Sequence, residues 1–323
     1  MKLKKLYETV VDLGIKADPR GEKSVLKTLE KKKKAFKDIK KEDLPFFDQE
    51  SLTNPYADTR ILHGTGNEEI KSILMGIDME VGEILLADRL TEKGEKIDLV
   101  ISHHPEGKAF ASFQDVMYMQ AEIHNKFGVP INIAESLIDA RMKEVERRVM
   151  PANHTRASDA ARLLNIPFMC MHTPTDNMVT TYLQTLIDKK KPETVGEIIE
   201  LLKGIPEYRE AAMINAGPKI FLGAKERSSG KVFVDMTGGT SGAVDIYKNM
   251  ANAGIGTIIG MHMGDDHRKV AEKNHINVII AGHIASDNLG INLMFDELMK
   301  KNKLKVLECS GFFRHSRIDK SGK

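Results

Sequence analysis

Short apolar runs rich in Val, Ile and Met recur along the chain, separated by stretches with helical spacing. SILMGIDM (72–79), IDLVIS (97–102), VPINIA (129–134), PFMCMH (167–172), KVFVDM (231–236), GTIIGM (256–261), NVIIAG (277–282) and LKVLEC (304–309) each read as a buried strand. Between them lie amphipathic helices. QDVMYMQAEIHNKF stops before a Gly, SGAVDIYKNMANAG starts at a Ser and stops at a Gly, and SDNLGINLMFDELMKK is a third. This alternation predicts an α/β architecture of packed layers.

Two stretches break the alternation. Residues 1–45 read as wholly helical and Lys-rich, ended by Pro45, and residues 183–230 carry little strand signal. The expected organisation is an N-terminal helical region (1–45), a first α/β lobe (46–180), a connecting or inserted segment (181–230) and a second α/β lobe (231–323). The length, 323 residues, suits a sizeable core. Cys170 and Cys309 sit in apolar runs and read as small buried residues in a reducing compartment, not as a disulfide framework. No apolar stretch approaches the ~20 residues needed to cross a bilayer, and the N-terminus lacks a signal core. A cytoplasmic protein without a membrane partner is expected. The formal charge of +2 is uneven: residues 1–45 hold 14 Lys+Arg against 8 Asp+Glu. The run KKKKAFKDIKK (31–41) is the main source. It could meet nucleic acid, but with acids interrupting it and no nucleic-acid module nearby, a solvated helix face is the preferred reading.

The candidate chemistry lies at strand ends. DLVISHHPEG delivers His103 and His104 beyond a strand, where open α/β sheets bind ligands. Two neutral imidazoles there suit a pair of metal ions, one ring per ion. MHTPTDNM (171–178) places His172 and Asp176 in a loop after another strand, with Asp176 a candidate ligand and His172 a ligand or the residue that orients one. VIIAGHIASDNLG (278–290) repeats the construction with His283 and Asp287, four apart and on one face if the helix has begun. Each stretch alone has a plain alternative: backbone-bonded loop histidines, turn chemistry, or a helix cap. Together they deliver three imidazoles and two carboxylates, His103, His104, Asp176, His283 and Asp287, which is what two adjacent divalent ions need.

DLVISHHP, HTPTD and AGHIASD, in this order and at this spacing, resemble the dinuclear-metal family called Ngg-interacting-factor-three-like, the GTP cyclohydrolase type-two homologues. GGTSG (238–242) with the downstream TIIGMHMGDDH resembles that family's glycine-rich turn and following strand. The match covers about residues 50–180 and 230–310, in pieces. It places the family's ligands on the same five residues. It implies two α/β lobes with two divalent ions (Zn, Fe or Mn) in the cleft between them, and homo-oligomers from dimers to toroidal hexamers. Two departures stand out: Asp287 occupies the position of the family's usual Glu, and Glu106 and Gly107 replace apolar residues after HHP. The Lys-rich stretch 15–45 has no counterpart.

The expected function is a metal-dependent hydrolase acting on a small molecule, a nucleotide or phosphoester, with His172 or Glu106 carrying the proton. A GTP cyclohydrolase is the narrower version, although nothing in the chain specifically reads guanine. The alternative is a non-enzymatic metal-binding regulatory or interaction protein, which the basic N-terminus keeps open. A metallophosphoesterase ranks last, because no early Asp-x-His or Gly-Asn-His sequence supplies its remaining ligands. Three weaker features complete the survey. GGTSGAVDIY reads mainly as a tight turn, without a P-loop lysine. His262, Asp265, Asp266 and His267 read first as a polar loop with a helix cap, and His154 as a surface residue.

Overall fold

The computed structural model of the chain describes residues 1–318. It opens with helices α1 (Leu3–Lys16) and α2 (Glu22–Phe36). Leu3, Leu6 and Val10, three and four residues apart, bury one stripe of α1 against the first sheet. α2 buries only Val25 and Leu29, and Lys31, Lys32, Lys33 and Lys34 are exposed.

The first sheet has the order β1-β4-β3-β2-β9, from β1 (Arg60–His63), β2 (Ser72–Gly76), β3 (Leu99–Ser102), β4 (Phe168–Cys170) and β9 (Lys305–Glu308). The second has the order β5-β8-β7-β6, from β5 (Lys219–Leu222), β6 (Lys231–Asp235), β7 (Ile255–Gly260) and β8 (Asn277–Ile280). Strands β4, β3, β2 and β9 run parallel, as do β8, β7 and β6; β1 and β5 are antiparallel edges. Every residue of β2, β3 and β8 is buried, as parallel strands covered on both faces should be.

Helices α3 (Val81–Glu92), α4 (Gly107–Ala111), α5 (Met119–Lys126), α6 (Ile131–Val149) and α7 (Arg156–Leu163) lie between β2 and β4 in sequence. α8 (Thr173–Lys190), α9 (Val195–Lys203) and α10 (Pro206–Met213) lead to the second sheet, and α11 (Ile246–Asn252), α12 (Asp265–Lys273) and α13 (His283–Met299) complete the set. α8 and α13 form the centre. On one side Met178, Ile291, Met294 and Phe295 pack with the first sheet; on the other, Val179, Leu183, Ala285 and Leu289 pack with the second. Helices apolar on both sides belong in an interior. They approach closely at Gly290, where a Cβ would stand 2.4 Å from the Thr175 carbonyl oxygen. α8 follows β4 and α13 follows β8, and Asp176, His283 and Asp287 of their first turns line one cavity.

The α/β class and the helical N-terminus are present as expected, with four differences in detail. VPINIA is not a strand but the start of α6, because Ala134, Ile138, Val145 and Val149 recur at helical spacing beyond the short apolar window. Asp176 lies in the first turn of α8 and not in a loop; Pro174 is tolerated there because a first turn lacks N–H partners anyway. β1 and β5 were not anticipated, since half-exposed four-residue edges carry no apolar run. Finally, β9 pairs with β2 of the first sheet although residues 231–323 were assigned to the second lobe, and α5 and α6 pack on the second sheet through Ile123, Ala134 and Ile138.

Candidate metal centre

β3 ends at Ser102, and the next two residues stay anchored to the end of β2. His103 N–H donates to the Gly76 carbonyl at 3.0 Å and His104 N–H to Ile77 at 2.9 Å. That anchoring holds both adjacent rings at the cleft, their centroids 5.2 Å apart. His172 precedes the first residue of α8, and Asp176 is one turn on. His283 opens α13, with Asp287 one turn on.

Three of the imidazoles, His103, His104 and His172, share one orientation. His103 Nδ1 lies 3.1 Å from the Met171 carbonyl oxygen, which can only accept, so Nδ1 carries the proton. His104 Nδ1 lies 2.6 Å from Asp78 Oδ1, and His172 Nδ1 lies 2.8 Å from Asp58 Oδ2. In each case Nδ1–H is held from outside, leaving the Nε2 lone pair turned inward, the arrangement of metal-binding histidines. The inward atoms then meet the carboxylates. His103 Nε2 is 3.6 Å from Asp176 Oδ1 and 3.4 Å from Asp287 Oδ1. His104 Nε2 and His283 Nε2 are 3.6 and 3.7 Å from Asp287 Oδ2, and His172 Nε2 is 3.7 Å from Asp176 Oδ2. These separations are long for hydrogen bonds. They are close to the ~3.4 Å between two tetrahedral ligands that each sit about 2.0–2.1 Å from one ion.

Three sets of donor atoms fall within 4.8 Å of one another: His103 with Asp176 and Asp287, His104 with His283 and Asp287, and His103 with His104 and His172. Asp287 belongs to two sets through different oxygens. The aspartate therefore reaches both sides of the cluster despite its shorter arm. Four buried atoms here have no hydrogen-bond partner among the described residues: His103 Nε2, Asp176 Oδ1 and both oxygens of Asp287. Burying such groups unsatisfied costs several kcal/mol, and a cation among them removes that cost. The donor set thus fits a metal ion.

The electrostatics agree. Burial, then the charge of Asp287, pushes the Asp176 carboxyl well above the usual range, with His103 opposing. Burial acts the same way on Asp287, but His103, His283 and His104 outweigh it and hold this carboxyl low. Burial, then His103 and His172, pushes His104 below the usual imidazole range, which keeps it neutral and able to ligate.

Glu106 is not brought into this cluster. It lines a separate cavity with Glu80, Asn153 and Arg156, and burial followed by the charge of Glu80 pushes it up to about 7. Of the weaker candidates, His262 reaches the cleft, its ring 5.0 Å from that of His283. Asp265 and Asp266 occupy the first turn of α12, as a cap reading requires, and His267 Nε2 bonds the Gly242 carbonyl at 3.0 Å. His154 is half-buried, with Nε2 2.9 Å from the Val149 carbonyl. The GGTSG turn is held by Gln120, whose Nε2 donates to the Gly238 and Thr240 carbonyls at 2.6 and 2.7 Å. Gly238 takes a positive φ of 96°, and a Cβ there would stand 2.6 Å from Gln120. Sequence reasoning missed Asp58 and Asp78. Asp58 sits in the short polar stretch DTR and Asp78 near the end of the apolar run SILMGIDM, and only its histidine partner, distant in sequence, marks each.

Neither a protein-family profile nor a curated protein matches the sequence. Solved structures do. The chain is similar to a NIF3 superfamily protein from Sphaerobacter thermophilus, with a TM-score of 0.70 and 29% identity over 79% of this chain and 92% of that one. It is also similar to reduced HcgD from Methanocaldococcus jannaschii (TM-score 0.49, 15% identity, 77% of this chain and 87% of that one). A Bacillus cereus protein related to NIF3 follows (0.39, 11%, 82% and 92%). No helix among the described residues is long and apolar enough to cross a membrane.

Proposed function

Starting from a chain that belongs to the NIF3 superfamily, we propose that it is a metal-dependent hydrolase of a nucleotide or phosphoester. The observation that carries this reading is the convergence of unsatisfied buried donors, His103 Nε2, Asp176 Oδ1 and both Asp287 oxygens, at the first turns of two central helices. His103, Asp176 and Asp287 would hold one divalent ion, and His104, His283 and Asp287 a second, with Zn, Fe or Mn as candidates. Such ions supply polarisation of a phosphoryl or carbonyl oxygen and a water acidified toward neutrality. His172 is assigned the proton. Asp58 fixes its Nδ1–H and stabilises the imidazolium, so the ring takes up and returns a proton at Nε2, beside Asp176. Opening of a purine ring, as a cyclohydrolase performs it, is the narrower form of the proposal. Assembly into dimers or hexamers is part of it as well.

The test is turnover of a nucleotide and phosphoester panel by metal-loaded protein. Wild type should hydrolyse at least one member. His172→Ala should lose about 10²–10⁴-fold in rate while keeping its metal, and His103→Ala should lose metal and rate together. Undiminished turnover in His103→Ala would refute the assignment. One observation favours a second, non-enzymatic reading: Lys31, Lys32, Lys33 and Lys34 are exposed without an acidic partner within 4.0 Å among the described residues. Nucleic-acid binding that weakens steeply with salt, in protein with no turnover, would favour it.

A further inference from the structure

Asn177 follows Asp176 in the first turn of α8 and is fully buried. Its Nδ2 lies 3.2 Å from the Gly14 carbonyl oxygen of α1, 3.1 Å from the Tyr56 hydroxyl and 3.4 Å from Asp18 Oδ2. Its Oδ1 accepts from Thr237 Oγ1 at 2.7 Å. The Gly14 carbonyl can only accept, so the amide cannot be turned over. The other directions follow. Arg20 grips Asp18 through Nε and Nη2, at 3.0 and 2.9 Å, and the Tyr56 hydroxyl donates to Asp18 Oδ2 at 2.9 Å. Burial, then the charge of Asp18, pushes the Tyr56 hydroxyl well above the usual phenol range. Tyr56 therefore keeps the proton it donates, and its oxygen accepts from Asn177.

The packing is as close as the backbone allows. A Cβ at Gly14 would stand 2.6 Å from Pro174 Cβ, so α1 lies directly against the start of α8. One turn beyond Asn177, Thr181 Oγ1 donates to the Ala17 carbonyl at 2.6 Å. Gly14, Asp18 and Arg20 all precede residue 50, where the resemblance to the dinuclear-metal family begins.

Asp176 is in the opposite condition. Its Oδ1 is buried without a partner, so no hydrogen bond within the described residues fixes that oxygen. Backbone bonds are also fewest in the first turn of a helix. The place of this carboxylate depends on what anchors the turn. Asn177 ties the turn to the N-terminal stretch on one side and, on the other, to Thr237 after β6, which lines the cavity beside the cluster.

We propose that Asn177 is a positioning residue of the metal centre: Gly14, Asp18, Tyr56 and Thr237 hold it, and it holds the turn that carries Asp176. The N-terminal helical region is then part of the centre's support and not an appendage. This role rests on the metal reading of the cluster, not on hydrolysis.

The test is cobalt(II) titration of the metal-free full-length protein, read by its visible bands, which follow coordination geometry, with thermal unfolding of each variant beside it. Asn177→Leu should bind cobalt about tenfold more weakly, the low end for supporting groups, and its bands at saturation should differ from wild type. Tyr56→Phe and Thr237→Val each remove one bond of Asn177 and should change the bands in the same sense; they carry the test if Asn177→Leu does not fold. Thr181→Ala is the control. It cuts a bond between the same two helical stretches one turn farther from Asp176, so it should lower the unfolding temperature and keep wild-type bands. A merely structural Asn177 would behave like that control. Wild-type bands at saturation in folded Asn177→Leu, or in both Tyr56→Phe and Thr237→Val, would overturn the inference and leave the metal reading intact. Bands altered equally by Thr181→Ala would overturn it too, since any loosening of α1 would then suffice. Absence of cobalt binding in wild type would overturn the metal reading, and this role with it.

Discussion

Asp287 and Lys32 both lack a hydrogen-bond partner among the described residues, yet they sit in opposite surroundings. Asp287 is 1% exposed, at the start of a central helix, and faces three imidazoles. Lys32 projects into solvent from α2, with three other lysines beside it. Water satisfies the lysines at almost no cost, so their lack of partners says little about function. Nothing in the protein satisfies Asp287, and the cost of burying it bare is what points to a cation. The same rule separates Asp287 from Glu106, which lies outside the cluster. The rarer event is a charge that is both buried and bare.

That contrast can be broken or sharpened by mutation. Among variants that leave the candidate ligands and His172 themselves intact, the largest effect is expected behind the ligands. Asp58→Asn leaves His172 in place but removes the charge that orients it, while its amide oxygen can still accept from Thr173 Oγ1. A loss of about 10–100-fold in turnover or metal affinity is expected, the usual range for such supporting groups, and steady-state kinetics with a metal titration will read it. A smaller effect is expected where the two central helices touch. Gly290→Ala forces a methyl against the Thr175 carbonyl and should cost about 1–3 kcal/mol by urea denaturation. Because it moves the helices that carry Asp176 and Asp287, it should also weaken metal uptake. The smallest is at the surface. Replacing Lys31, Lys32, Lys33 and Lys34 by Gln should change stability by less than about 0.5 kcal/mol per site and leave metal content unchanged. A large loss of metal in that variant would erase the contrast.

The two regions also differ in how readable they are. Apolar runs marked the strands β2, β3, β4 and β8, and the histidines and aspartates that follow them stood out because three strand ends repeat one construction. Only the folded chain shows what supports them. Asp58 and His172 are 114 residues apart, and neither stretch hints at the other. α6 was hidden for a different reason: its first four residues, with Val129 and Pro130 before them, satisfy a strand pattern, and the helical period emerges only over the 19 residues it spans. Local pattern reported elements that bury one obvious face. It did not report edge strands, or partners joined only by long-range folding.

The central claim is that the bare carboxylates of α8 and α13 hold metal. Elemental mass spectrometry of the purified protein, beside a His103→Ala/His283→Ala variant, tests it most directly. The account predicts about two transition-metal ions per chain, the complement of a two-metal site, and their loss in the variant. No metal in either protein, even after reconstitution with Zn, Mn or Fe, would contradict it and return these residues to loop and helix-cap roles.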